Sequence, residues 1–376
     1  MSILFVSNDH CLDHVPGKTH PERPDRLKAV YSAFQKPELN ESIIEILAEA
    51  IDEKIIFDVH EKEMVHHLKE VHANGGGRVD EDTKMSEGSW FAARLAAGAG
   101  LQAISYLKKG IGDAAFCAVR PPGHHATTGR SMGFCLLNNV AIAAKQLSSL
   151  GEKILIVDYD AHHGNGTQDV FYSDPNVLFV SFHQWPLYPG TGALEETGIG
   201  KGEGTTINIP FPAGTTGDTY LQAWDELVME TVDNFKPTWV LLSAGFDGHR
   251  LDPITDLGLT SGDYSLLTSR IIQTVPPGHR LVFLEGGYDL KALELSTTAV
   301  LHALIGETVF PEPVTNDGIG KEAIKQAISG TLTFTTPAVM SDVSKGNFIY
   351  QSTFEYEKNK QWKGRIKKYK LNSDGT

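Results

Sequence analysis

The chain has 376 residues, with 33 Lys and Arg against 47 Asp and Glu and a formal net charge of −14. That balance argues against a broad nucleic-acid-binding surface and weakly favours cationic substrates, with solubility an equally good reason for it. No stretch approaches the ~20 apolar residues of a membrane span, and MSILFVSNDH lacks the flank and centre of a signal peptide, so a cytoplasmic protein is expected.

In chain order, residues 3–6 (ILFV) read as a first strand. Helical patterns follow at 23–34 and 61–72, then a Gly-rich acidic loop at 73–88 that is expected to be mobile. A helix at 87–107 leads to an apolar run at 114–119, which ends in Arg120-Pro121-Pro122-Gly123-His124-His125. Pro fixes φ and Gly supplies the bend, so the adjacent histidines sit in a stiff loop. After a helix at 136–150, the apolar run 153–157 ends in Asp158-Tyr159-Asp160-Ala161-His162-His163-Gly164-Asn165-Gly166. Strand alternation would turn Asp158, Asp160 and His162 the same way, and two carboxylates with an imidazole suit a divalent metal. A solvated Asp/His/Gly turn is the bland alternative.

A helix at 218–235 precedes the run 239–243, which delivers Asp247 in Ala244-Gly245-Phe246-Asp247. A helix at 262–274 precedes the run 281–284, which delivers Tyr288 in Glu285-Gly286-Gly287-Tyr288, and a last helix spans 289–304. This alternation argues for a parallel sheet with helices on both faces, whose sites form at the carboxyl ends of strands. One hydrolytic metal centre is the economical reading of these four strand ends. The composition shifts near Pro311, and β-branched and aromatic stretches from Gly330 onward suggest a small β appendage. The expected division is 1–310 for the catalytic unit and 311–376 for the extension. The tail 358–370 holds seven Lys and Arg, read first as an edge strand protected by lysines. Cys11, Cys117 and Cys135 form no CxxC, which fits a reducing compartment; Cys135 is taken as packing beside the site.

The motifs THPERPDRL (19–27), RPPGHHA (120–126), GFCLLNN (133–139), DYDAHHGNGTQ (158–168), YPGTG (188–192), SAGFDGH (243–249) and EGGYD (285–289) run in one order over about the first 305 residues. In these the chain resembles the zinc-dependent histone deacetylases and their bacterial relatives, including acetylpolyamine amidohydrolases. RPPGHH and Asn165 look like the class II branch. The resemblance implies an arginase–deacetylase fold with an eight-stranded parallel sheet. It implies zinc held by Asp160, His162 and Asp247, with His163 outside that set. His125 would be the general base and then acid, His124 chiefly electrostatic, with Asp158 and Asn165 as their partners and Tyr288 donating to the oxyanion. Gly133, Phe134, Tyr188, Ile254, Asp82 and Gly286 match substrate-binding positions. Asp158, Asp160, His162, Ser181 and Phe182 match an inner potassium site. The expected substrate is a small acylated amine or an acyl-lysine peptide, and Ile254 stands where polyamine-selective relatives can carry Glu. No nucleic-acid or membrane partner is expected, and a homo-oligomer stays open. An arginase-type enzyme with two manganese ions and a non-catalytic acyl-ligand binder remain as rivals.

Overall fold

The structure is a computed structural model; it describes residues 1–320, Ile324 and the backbone of strands at 331–335, 339–340, 348–357 and 363–370. Its centre is an all-parallel sheet of eight strands: β1 (Ile3–Ser7), β2 (Ile43–Leu47), β5 (Ala114–Ala118), β6 (Ile154–Asp158), β7 (Val177–Gln184), β8 (Thr206–Phe211), β9 (Trp239–Ala244) and β10 (Arg280–Leu284). The order is β2-β1-β5-β10-β9-β6-β7-β8. Strands β5, β6, β7, β9 and β10 are buried along their whole length, which is why they read as near-continuous apolar runs. The four strands that carry the motifs, β5, β10, β9 and β6, are neighbours at the centre of the sheet.

Among the described residues ten α-helices surround it: α1 (Asp25–Phe34), α2 (Glu53–Ile56), α3 (Lys62–Ala73), α4 (Ser89–Lys108), α5 (Asn139–Ser148), α6 (Asn165–Phe171), α7 (Gly217–Ala223), α8 (Met229–Phe235), α9 (Ser261–Ile272) and α10 (Leu290–Leu304). Helices α4 and α5 pack together against the central strands, while α1, α10, α9 and α7 form a second packed row. Close approach of α4 to β10 needs Gly100, where a β-carbon would stand 2.6 Å from Phe283 Cζ. The helix expected at 218–235 is interrupted: a wider turn at Trp224–Val228 separates α7 from α8 and buries Trp224. The expected mobile loop at 73–88 contains a two-stranded ladder, β3 (Gly76–Arg78) with β4 (Lys84–Ser86). Long-range bonds organise it: Arg130 pairs with Asp80 at 2.8 Å, and Gly133 N donates to Asp82 Oδ1 at 3.1 Å.

The C-terminal strands β11 (Thr331–Thr335), β12 (Val339–Met340), β13 (Phe348–Glu357) and β14 (Lys363–Lys370) form a separate antiparallel sheet, in which β14 pairs with β13. Residues 312–318 are bonded into the α/β body. Glu312 accepts from His249 at 2.6 Å, Arg250 at 2.7 Å and Ser261 N at 3.2 Å, and Thr315 Oγ1 donates to Asp263 at 2.7 Å. Ile324 is buried in the same core, so truncation after Gly330 should leave the melting temperature of the α/β body nearly unchanged, whereas truncation at Pro311 should lower it by several degrees. Thermal unfolding of the two shortened chains checks this; equal melting temperatures would place the boundary at 311.

Candidate active site

Four of the motifs end the central strands β5, β6, β9 and β10, and the turns that follow converge over the carboxyl edge of the sheet. Asp160 and His162 lie just beyond β6 and Asp247 just beyond β9, and all three are buried. His162 Nδ1 is 3.1 Å from Asp160 Oδ1 and 2.9 Å from Asp247 Oδ2. Backbone groups hold the carboxylates in place: Ala161 N donates to Asp247 Oδ1 and Gly286 N to Asp160 Oδ2, both at 2.8 Å. Burial and the like charge of Asp160 raise the Asp247 pKa, a repulsion that a cation would relieve. A β-carbon at Gly286 would meet carboxylate oxygens of both Asp160 and Asp247, so this glycine keeps the space between them open. Two carboxylates and one imidazole around such a space fit a divalent metal of the zinc type. His163 is outside the set; its ring bonds to Thr191 Oγ1 at 2.8 Å and Gln168 Oε1 at 3.0 Å, steadying the loop that carries Tyr188.

The tandem histidines are fixed from every side. His124 Nδ1 meets Asp158 Oδ2 at 2.9 Å, and His125 Nδ1 meets Asn165 Oδ1 at 2.7 Å. The His124 carbonyl accepts from Gly166 N and Thr167 N at the start of α6, at 3.0 and 3.1 Å. Both asparagines of GFCLLNN bond back to the same loop: Asn138 Nδ2 to Ala126 O and Asn139 Nδ2 to Pro121 O, each at 3.1 Å. Burial opposes charge on His124, but Asp158, Asp160 and Glu285 outweigh it and hold its pKa well above the usual imidazole value. Burial, then the neighbouring His124 and His162, push His125 well below it. The carboxylates beside His124 thus favour its charged form, while burial and the two neighbouring histidines disfavour charge on His125.

A cavity of about 150 Å³ is lined by Asp82, His125, Gly133, Phe134, His162, Tyr188, Ile254 and Tyr288. All six positions that the resemblance assigned to substrate are at this cavity or, for Gly286, bonded to Asp160 behind it. Asp82 brings a carboxylate to its lining. Phe134 has φ +68°, a left-handed conformation that an aromatic residue rarely adopts. Its N–H donates to Thr83 Oγ1 at 3.0 Å, and a bridge between Met132 and Cys135 closes the turn behind it. Ser181 lies beside Asp158 in the β6–β7 register, and its Oγ meets His183 Nδ1 at 3.0 Å. The Phe182 ring packs on Phe211, so only its backbone is available to an ion.

Three positioning groups escaped the sequence reading. Glu285 is fully buried, and its Oε2 accepts from Gly123 N at 2.7 Å and His124 N at 3.1 Å, tying the Tyr288 turn to the histidine loop. Asp252 accepts from Tyr288 N at 2.7 Å and Ile254 N at 3.1 Å. Arg26 donates to Gly287 O at 2.6 Å and to the Glu285 carbonyl, and lies 4.9 Å from the Tyr288 ring centroid. It belongs to a buried cluster in which Glu22 accepts from Arg26 at 3.2 Å and Arg120 at 2.5 Å. THPERPDRL thus braces the turn that carries Tyr288. The available signal for Glu285 was a charged residue closing an apolar run before Gly-Gly.

Fold and site together define an α/β protein of the arginase–deacetylase fold with a buried metal-type donor set. The histone deacetylase domain matches residues 20–304, and the chain belongs to the histone deacetylase family. It is 41% identical over 309 residues to a probable deacetylase of Archaeoglobus fulgidus, covering 80% of this chain and 86% of that one. It is 39% identical over 304 residues to histone deacetylase 15 of Arabidopsis thaliana, covering 79% of this chain and 55% of that protein. The crystal structure of the HDA15 HD domain superposes with a TM-score of 0.78 at 37% identity, covering 83% of this chain and 90% of that one.

Proposed function

We propose that this chain is a zinc-dependent deacetylase that hydrolyses the amide of an acylated amine, with an acyl-lysine side chain as the substrate class. The observation that carries this is the cavity walled by Phe134 and Tyr188 and ending on His125, His162 and Tyr288. Its aromatic walls suit the methylene chain of a lysine, and its inner end gathers the groups that amide hydrolysis requires. Asp160, His162 and Asp247 would hold zinc, which would supply polarisation of the amide carbonyl and acidification of a water. His125, kept neutral, takes the proton of the attacking water through Nε2, since Nδ1 is engaged by Asn165. The same ring then returns the proton to the leaving amine. His124 stays cationic against Asp158 and stabilises negative charge that develops beside it. Tyr288 keeps its phenolic proton, because burial pushes its pKa well above 10, and donates that proton in a hydrogen bond to the oxyanion.

An acetylated polyamine is the second reading, favoured by Asp82, whose carboxylate lines the cavity. Turnover of acetyl-lysine peptides, acetylated polyamines and longer acyl-lysines, compared at one enzyme concentration, separates the two. No turnover on the whole panel by zinc-loaded protein would leave a binding protein, and two manganese ions per chain would move it to the arginase class. The neutral partner of His125 makes a further prediction. Asn165→Asp should raise the His125 pKa, so a higher pH is needed to free the base. The acidic limb of kcat/KM should move upward relative to wild type. A limb that stays or moves down would mean that Asn165 does not set the base.

A further inference from the structure

We propose a second metal site, formed by His124, Cys135 and Glu285 beneath the histidine loop, that takes a borderline-soft divalent cation such as zinc or cobalt. One ligand atom from each of the three lies within 4.8 Å of the others, and all three residues are buried. Glu285 gives the independent sign of a ligand. Its Oε2 is committed to two backbone N–H groups, while its Oε1 is buried with no hydrogen-bond partner among the described residues. A buried carboxylate oxygen without a donor is costly, and a cation is the natural way to satisfy it. Cys135 is nearly free as well, since its thiol makes a single bond, to Gly133 O at 3.3 Å. The His124 Nδ1 faces Asp158, which leaves Nε2 as the open ring nitrogen.

The donor set repeats the charge of the first site, with two anionic groups and one imidazole. A divalent ion bound by a thiolate and a carboxylate is neutralised, so its burial is affordable. The thiolate selects zinc, cobalt or cadmium over magnesium and calcium. Gly133, two residues before Cys135 in the same turn, lines the aromatic cavity. On binding, Cys135 releases its proton to solvent, and the proton carried by His124 leaves with it. His124 Nε2 is 3.9 Å from Asp160 Oδ2, so the two sites share a wall. Given the deacetylase reading, filling the second site would immobilise His124 and replace its charge, and excess metal would inhibit the enzyme.

Titration of the metal-free full-length protein with cobalt tests this without any assay of activity. The first equivalent, bound by carboxylates and imidazole, should show no thiolate-to-cobalt charge-transfer absorption. The second equivalent should bring that absorption in wild type, and it should be missing in Cys135→Ser and Cys135→Ala, which should bind a single cobalt while keeping the wild-type circular dichroism. With zinc, wild-type turnover should rise to one equivalent and be lost with the second, whereas Cys135→Ser should hold its plateau. Wild-type protein that binds one cobalt only, or a second cobalt without a thiolate band, would overturn the site. Should the deacetylase reading fail, the optical titration still decides the metal site.

Discussion

Asp247→Asn should lose bound zinc on dialysis and lose at least ~1,000-fold in turnover while keeping its fold. The reasoning is electrostatic. Asp247 supplies one of two anionic donors; its loss leaves a buried site with one carboxylate and one imidazole, too weak to retain the ion. The polarisation that the metal provides is worth several kcal/mol, and each ~1.4 kcal/mol is a factor of ten in rate. Asn keeps an oxygen for the Ala161 N–H, which Asp247 Oδ1 holds at 2.8 Å, so the backbone is not stranded. Asp247→Ala would strand that buried donor, adding a destabilisation of ~1–3 kcal/mol. Removing one of two repelling buried carboxylates should leave the metal-free Asn variant at least as stable as metal-free wild type. The rise in melting temperature that zinc gives wild type should be absent from the variant. Metal analysis, thermal unfolding and turnover on the same preparations check all three, and a variant that stays loaded and active would remove Asp247 from the donor set.

Tyr288→Phe should lower kcat by ~100-fold or more with little change in KM, the loss typical of one oxyanion donor. The substitution removes a single hydroxyl. The ring keeps its edge contact with Phe134, at 6.0 Å between centroids, and its place 4.9 Å from Arg26. The backbone bond from Tyr288 N to Asp252 Oδ2, 2.7 Å, is untouched. Because burial raises the phenol pKa well above 10, wild-type turnover should show no alkaline loss from Tyr288 near neutral pH. An unchanged kcat in the Phe variant would mean that the hydroxyl takes no part in the rate-limiting chemistry.

The sequence by itself determined the chemistry that could be present. Apolar runs ending in His-His, Asp-x-Asp-x-His, Asp and Tyr named the donors, because buried parallel strands are apolar throughout and their polar exits stand out. It also marked the alternating pattern of a parallel sheet. It missed strands β2, β7 and β8 and the β3–β4 ladder. Strands β2 and β8 are not flanked by functional turns, β7 carries its polar residues Ser181 and His183 inside the strand, and the ladder is organised by partners some fifty residues away, Asp80 to Arg130 and Asp82 to Gly133. Only the tertiary structure decided that β5, β10, β9 and β6 are neighbours, an order that crossover connections conceal from a linear reading. That adjacency brings Asp160 and Asp247, 87 positions apart in number, onto one imidazole. It also assigns Glu22, Arg26, Asp252 and Glu285 their work as braces, since the value of a buried charge depends on which backbone groups surround it. Local pattern records what each residue can do; the sheet order sets which residues do it together.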